Sequence, residues 1–242
     1  MKNPIFRKLG LLVLIFLGIH FPLLFAKTGE FKMVEVPAKL ISLSESYSNA
    51  YNKMGLEAAG LSKRAFESAM KGFQKLSEAG KISNNHIITI ADFTKSSALK
   101  RLFVVDLDQE KILFKTYVAH GQGSGEEFAR RFSNIPESFQ SSPGFYRTSS
   151  TYSGKHGFSL KLDGLEPGIN DKAGERAIVM HGADYVSEKF IRSHGYLGRS
   201  WGCPAIPESL KKPIINTIKD GSLLFIYSEN KAYLNKSKII RG

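Results

Sequence analysis

The sequence predicts a mainly β fold of the α+β class, a sandwich or barrel preceded by an N-terminal helical segment, and three observations carry that reading. Before residue 82, Leu61, Ala65, Ala69, Phe73 and Leu76 recur at three- and four-residue spacing, the stripe of an amphipathic helix. From His86 onward the texture changes to short apolar and β-branched runs separated by Gly, Ser and Pro clusters, the pattern of successive strands. The 242 residues, 42% of them hydrophobic and 23% charged, are enough for one substantial core.

The chain opens with Lys2, Arg7 and Lys8 and no acid, followed by the uninterrupted apolar run Leu9–Ile19. A basic start before a short apolar stretch is the layout of an export signal. The stretch reaches Phe25 but contains His20 and Pro22, which makes it short and broken against the ~20 apolar residues of a membrane span. Residues 1–26 therefore read as a signal peptide cleaved after Ala26. Leu24 is larger than the residue usually found two places before such a cut, so an uncleaved N-terminal anchor stays open. Either implies a periplasmic or cell-envelope location.

Residues 27–82 form the helical segment. Leu40–Lys53 is one short helix, interrupted at Gly55 and Gly60; a longer one follows, with Ser62 as N-cap and Gly80 as terminator. Residues 83–230 carry the β domain, with strands expected at His86–Ile90, Leu102–Leu107, Lys111–Val118, Phe158–Leu162, Ala177–Met180 and Ser222–Tyr227. Asp108–Lys111 reads as a hairpin turn. Pro207–Asp220 begins like a helix that Pro213 should break or kink, and residues 231–242 read as a loose basic tail.

Thirty-four basic against 22 acidic residues leave a net charge of +12, which suits work beside a polyanion such as nucleic acid, anionic lipid or cell-wall polymer. The basic residues fall in scattered pairs, such as Lys63/Arg64 and Arg130/Arg131, and no nucleic-acid motif accompanies them, so no nucleic-acid partner is expected. The single cysteine excludes a disulfide scaffold and a cysteine-based zinc ribbon.

A lone thiol in an oxidising compartment is open to oxidation and mixed disulfides, so Cys203 needs a reason. The bland reading is a small buried apolar residue, but its setting, Gly198-Arg199-Ser200-Trp201-Gly202-Cys203-Pro204, is turn-like and polar. Four histidines precede a glycine, His120, His156, His181 and His194, and at His181-Gly182 an apolar strand runs directly into the pair. Such a histidine projects over a turn that lets substrate approach closely. A thiol near pKa 8.5 needs a neighbouring base to become a nucleophile. The turn Ser200–Cys203 offers consecutive backbone N–H groups for an oxyanion, with Gly202 permitting the bend.

At these residues the chain resembles the murein L,D-transpeptidase family, the YkuD-like domains, in a branch with Pro after the cysteine. The likeness rests on His181-Gly182 with Gly198–Cys203, and on His120-Gly121, Phe132-Ser133-Asn134, Ser141–Tyr146, Gly154–Gly157, Gly164-Leu165-Glu166 and Asn170-Asp171, spanning about residues 40–228. The resemblance implies a β-sandwich-like catalytic domain with Cys203 as acylated nucleophile, His181 as base oriented by the carbonyl of Gly182, and Ser200 lining the pocket. The implied oxyanion donors are the N–H groups of Gly202 and Cys203. The reaction implied is cleavage before the terminal D-Ala of a peptidoglycan tetrapeptide stem, through a thioester passed to an amine. That amine belongs to a second stem peptide, a lipoprotein or a D-amino acid. No cofactor or metal is implied.

The chain departs from the main branch of that family. Trp201 stands where His is usual, Ala205 where Arg is usual, and 21 residues separate His181 from Cys203. Arg199 is the candidate for a replacement contact to a substrate carboxylate, by charge, and Trp201, His120 and Tyr146 are the other substrate-binding candidates. His194, in a loop-like stretch, is the alternative base. His156 lines the cleft or is satisfied by backbone; Ser141 and Ser142 read as loop-ordering hydroxyls, Tyr185 as core or rim, and Arg176 as a surface or ion-pair residue. A zinc peptidase lacks its His-Glu-x-x-His pair, a sortase-like enzyme lacks its arginine soon after the cysteine, and papain-like hydrolases run Cys before His. The remaining alternatives are an L,D-carboxypeptidase, with water as acceptor, and a non-catalytic wall-binding protein.

Overall fold

In the computed structural model, which describes residues 38–241, the apolar stripe forms a helix. Helices α1 (Ala38–Lys53) and α2 (Leu56–Ala59) lead into α3 (Lys63–Glu78), which buries Ala65, Phe66, Ala69, Gly72 and Leu76. Ser62 stands at the N-cap without capping its own helix: its hydroxyl donates to Asp92 at 2.7 Å and ties the helix start to the sheet. Gly80 ends the helix as expected. At φ 62° it lets Lys81 N–H reach Leu76 O (2.8 Å) and its own N–H reach Ser77 O (2.9 Å), the paired bonds of a Schellman motif. The expected signal or anchor, residues 1–26, and the first part of the helical segment lie outside the described residues. Among the described residues no helix is long and apolar enough to cross a membrane.

Eight strands follow: β1 (Ile87–Asp92), β2 (Leu102–Asp106), β3 (Lys111–Thr116), β4 (Gly144–Gly154), β5 (Gly157–Gly164), β6 (Val179–Ala183), β7 (Ala205–Pro207) and β8 (Leu223–Tyr227). They form one mixed sheet in the order β3-β2-β1-β8-β4-β5-β6-β7. β1 with β8 and β6 with β7 run parallel; the other pairs are antiparallel. The central strands are buried on both faces. Ile88, Ile90, Phe103, Val105, Leu223 and Phe225 pack with Phe66 and Leu76 of α3, whereas Leu102, Val104, Leu224 and Ile226 pack with Leu160 and Met180 and with Ile214, Ile215 and Ile218, three residues of helix α5 (Lys211–Ile218). This is the period-two division of a sheet sandwiched between two apolar layers.

The expected sandwich or barrel is realised as this single curled sheet, nearly a barrel. Just past β3, Ala119 bridges Ala205 of β7 and Gly121 bridges Ser200, so the two ends of the strand order meet at the loop that carries Cys203.

Several sequence expectations change. β4 lies in the Gly- and Ser-rich stretch that reads as loop, and β7 has three residues, too few for a periodic signal. Ala177 takes φ 51°, which keeps it out of a strand, so β6 starts at Val179 and His181 sits within it rather than past its end. Pro213 does not break α5: the helix starts at Lys211, and Pro213 falls in the first turn, where no N–H is needed. The expected loose tail is two short helices, α6 (Lys231–Lys236) and α7 (Lys238–Arg241).

That tail is pinned by a buried carboxylate. Glu166 accepts from Phe145 N–H at 2.9 Å, from Tyr233 at 3.3 Å and from Ser237 by a short bond, while Lys71 donates to Ile240 O. Burial pushes the Glu166 pKa up, and the three donors pull against it. Removing the carboxylate orphans buried donors, each costing about 1–3 kcal/mol. Glu166→Ala is therefore expected to lower unfolding stability by about 3 kcal/mol in a denaturant titration and to expose residues 231–241 to protease.

Candidate active site

Cys203 lies in the loop that feeds β7. The parallel register pairs His181 with Ala205, so the residue two places before Ala205 stands beside Val179. The thiol sulfur accordingly sits 3.5 Å from Val179 N–H and donates toward Ala177 O at 3.8 Å. Residues 179 and 181 lie about 6.6 Å apart along a strand, which puts the imidazole one pleat from the sulfur. No hydrogen bond joins His181 to Cys203 in this structure.

His181 is 3% exposed, and its Nδ1 lies 2.8 Å from the carbonyl of Gly182. With Nδ1–H donating there, Nε2 is left unprotonated and available as a base. Burial lowers the pKa from its ordinary 6.5, with His156 and Lys211 pushing the same way and the Gly182 carbonyl and Glu208 opposing. Burial raises the half-buried Cys203 thiol above its ordinary 9.0, opposed by Val179 N–H and Arg176. At neutral pH the resting pair is a thiol and a neutral imidazole.

Ser200 shapes the cysteine turn. Its hydroxyl donates to Cys203 O at 2.6 Å and accepts Gly202 N–H at 3.1 Å. Here one expectation is corrected: the Gly202 N–H is already engaged, so of the two anticipated oxyanion donors only Cys203 N–H is without a partner among the described residues. Gly202 itself is required, because it adopts φ 126° and a Cβ there would meet Gln140 O at 2.9 Å. Ser141 ties the neighbouring loops, accepting from Gly121 N–H at 3.0 Å and donating to Gly202 O at 3.1 Å.

Two substrate-binding candidates are corrected by burial. His120 is 0% exposed; Arg101 donates to its Nδ1 at 2.8 Å, and burial with that cation drives its pKa to about 3. It supports the site through its backbone, accepting Ser200 N–H at 3.0 Å. Tyr146 is also fully buried and donates to Ser142 O. Trp201 is 68% exposed, edge-on to Phe139 with centroids 5.5 Å apart. Arg199 is partly exposed and bonds Gly125 O at 3.2 Å. His194 caps the exposed end of α4 (Glu188–His194), stacked on Phe190 with Nδ1 3.1 Å from Phe190 O, and no contact joins it to Cys203. A groove of about 510 Å³ between Lys115–Tyr117, Ala183–Glu188 and Pro207–Leu210 does not include the cysteine.

Arg176 lies beside the candidate site in a setting that the sequence hides. It bonds Ser133 O, Ser142 Oγ, Ser138 Oγ and Gln140 O, clamping the 133–142 loop, and its charge favours the Cys203 thiolate. Nothing in its local sequence marks either role, because Cys203 and all of its hydrogen-bond partners are more than 25 residues away. Arg176→Met is expected to raise the Cys203 pKa further and to slow iodoacetamide alkylation at pH 7. A rate equal to wild type would show that the charge does not reach the sulfur.

The chain belongs to the L,D-transpeptidase catalytic domain family, whose model matches residues 57–227. Solved structures with similarity include an L,D-transpeptidase from Mycobacterium smegmatis (12% identity, 59% of each chain covered, TM-score 0.37). Another is an L,D-transpeptidase from Stackebrandtia nassauensis (14% identity, 77% of this chain and 78% of that one, TM-score 0.36). A third is the helical cell shape determining protein Pgp2 from Campylobacter jejuni (15% identity, 66% and 57%, TM-score 0.39). The chain thus spans less than two thirds of the first and third of these. Comparison with curated proteins gave no sequence match.

Proposed function

We propose that the protein is an exported peptidoglycan L,D-transpeptidase that uses Cys203 as nucleophile and His181 as base. The observation that carries this reading is the fixed tautomer of His181, with Nδ1 on the Gly182 carbonyl, on the strand paired with the one that Cys203 enters.

For acylation, the sulfur leaves Val179 N–H and Ala177 O and gives its proton to His181 Nε2 as it attacks the carbonyl before the terminal D-Ala. Cys203 N–H receives the oxyanion, while Gly202 N–H stays on Ser200 Oγ and holds the turn. The imidazolium then protonates the departing D-Ala amine, leaving the tripeptide as a thioester. In the second half, an acceptor amine gives a proton to His181, attacks the thioester and returns the thiol. Trp201 and Arg199 are the substrate contacts that remain accessible, Arg199 as a partner for a carboxylate. No cofactor or metal enters these steps. The basic excess, +12 for the whole chain and +9 without Lys2, Arg7 and Lys8, favours the anionic wall polymer, and the basic-then-apolar start supports export.

The test is product analysis by mass spectrometry after incubation with disaccharide tetrapeptide. Cross-linked dimer with free D-Ala is expected. Tripeptide and D-Ala without dimer would assign water as the acceptor and make the protein a carboxypeptidase. Absence of both products, with Cys203 intact and alkylatable, would favour the wall-binding alternative.

A further inference from the structure

The β4–β5 hairpin closes through the two-residue turn Lys155-His156, with Gly154 paired to Gly157. β5 then pairs with β6 so that Ser159 lies opposite His181, which brings the hairpin tip over the histidine strand. There the His156 and His181 rings stack, with centroids 4.3 Å apart and planes 21° from parallel. His156 is exposed whereas His181 is 3% exposed, so the outer ring covers a face of the inner one.

We propose that His156 is a positioning residue for His181, holding its ring plane from the adjacent hairpin. The inference rests on His181 being the base. The Gly182 carbonyl fixes one nitrogen of the His181 ring and the stack fixes its plane, so together they aim Nε2. A positive charge on His156 at this separation disfavours one on His181, in the same direction as burial of the inner ring. The other charged groups facing the pair are Glu208, from the turn after β7, and Lys211 of α5. Both lie close to His181 and are ion-paired to each other. Lys155, the other tip residue, is directed instead to the Trp201 ring, 5.9 Å from its centroid.

His156→Phe keeps a stacking ring and removes the second titratable group; His156→Ala removes both. The full chain is followed by imidazole C–H chemical shift against pH, with resonances assigned through His181→Ala, and by the pH profile of turnover. In His156→Phe the His181 midpoint and the acid limb of the profile are expected to move to higher pH, because the like charge is gone, with the plateau within about threefold of wild type. In His156→Ala the plateau is expected to fall about tenfold or more, because the ring loses its orientation. His156→Gln supplies the same midpoint should the Phe variant misfold.

A His181 midpoint unchanged in His156→Phe overturns the electrostatic coupling between the rings, and a wild-type plateau in His156→Ala overturns the positioning role. Equal plateau losses in both variants, with an unmoved acid limb, reduce the stack to structural support and overturn the proposal. Turnover retained by His181→Ala would instead refute the base assignment, a result read separately from either His156 variant.

Discussion

Cys203→Ala is expected to abolish thioester formation and to lower turnover of disaccharide tetrapeptide by about 10⁴-fold or more, as removal of a nucleophile does in comparable acyl-transfer sites. The effect should be chemical and not conformational. Cys203 is half-buried at a turn, and its sulfur makes only one long contact with Val179 N–H and one with Ala177 O. The fold around it is held by Ser200, Ser141 and Arg176. Unfolding stability is accordingly expected to change by less than about 1 kcal/mol. Intact mass after incubation with substrate reads the first expectation: wild type gains the disaccharide tripeptide and the variant gains nothing. Undiminished turnover in the variant would eliminate the thiol mechanism.

His181→Ala should cost about 10³-fold, the scale of a lost general base, and its residual pH dependence should be distinctive. In the wild type, burial holds the His181 pKa below 6.5. The base is therefore neutral and competent from below pH 6.5 upward, and kcat/KM should fall only when acid reaches that depressed value. The Cys203 thiol is held above 9.0, so without the imidazole the thiolate must form by itself. Residual activity of the variant should then climb tenfold per pH unit between pH 7 and 9, where the wild type is flat. A flat profile for the variant would mean that another group supplies the base. His194 is far from suited to that role, since it stacks on Phe190 at an exposed helix end; His156, already against the same ring, is the group to examine.

How much of this was legible beforehand differs by element. The α3 stripe, its Gly80 stop and the runs around β1, β2, β3, β5 and β8 follow from periodicity, because burial on a helix face or a strand face repeats at 3.6 or 2 residues. β4 was not legible: its Gly, Ser and Thr residues look like loop, and it becomes a strand because β5 and β8 flank it and satisfy its backbone on both sides. The C-terminal segment misleads for a similar reason. Its charges suggest a tail, but Tyr233 and Ser237 reach a carboxylate about 70 positions earlier, a contact that no local window contains.

The lone cysteine, the His-Gly pair and the glycine-rich turn between Ser200 and Cys203 are present in the sequence as residue types whose chemistry is intrinsic to the side chain. They determined, without coordinates, the chemical reading and the family resemblance. Distance and burial decided the rest. His120 and Tyr146 passed from substrate candidates to buried supports, since a side chain enclosed by the fold cannot meet a ligand. Gly202 N–H proved to be engaged by Ser200, Arg176 emerged as a clamp beside the thiol, and His156 came to lie on His181. Each of these depends on strands distant in sequence being brought into register, and only the folded sheet sets that register.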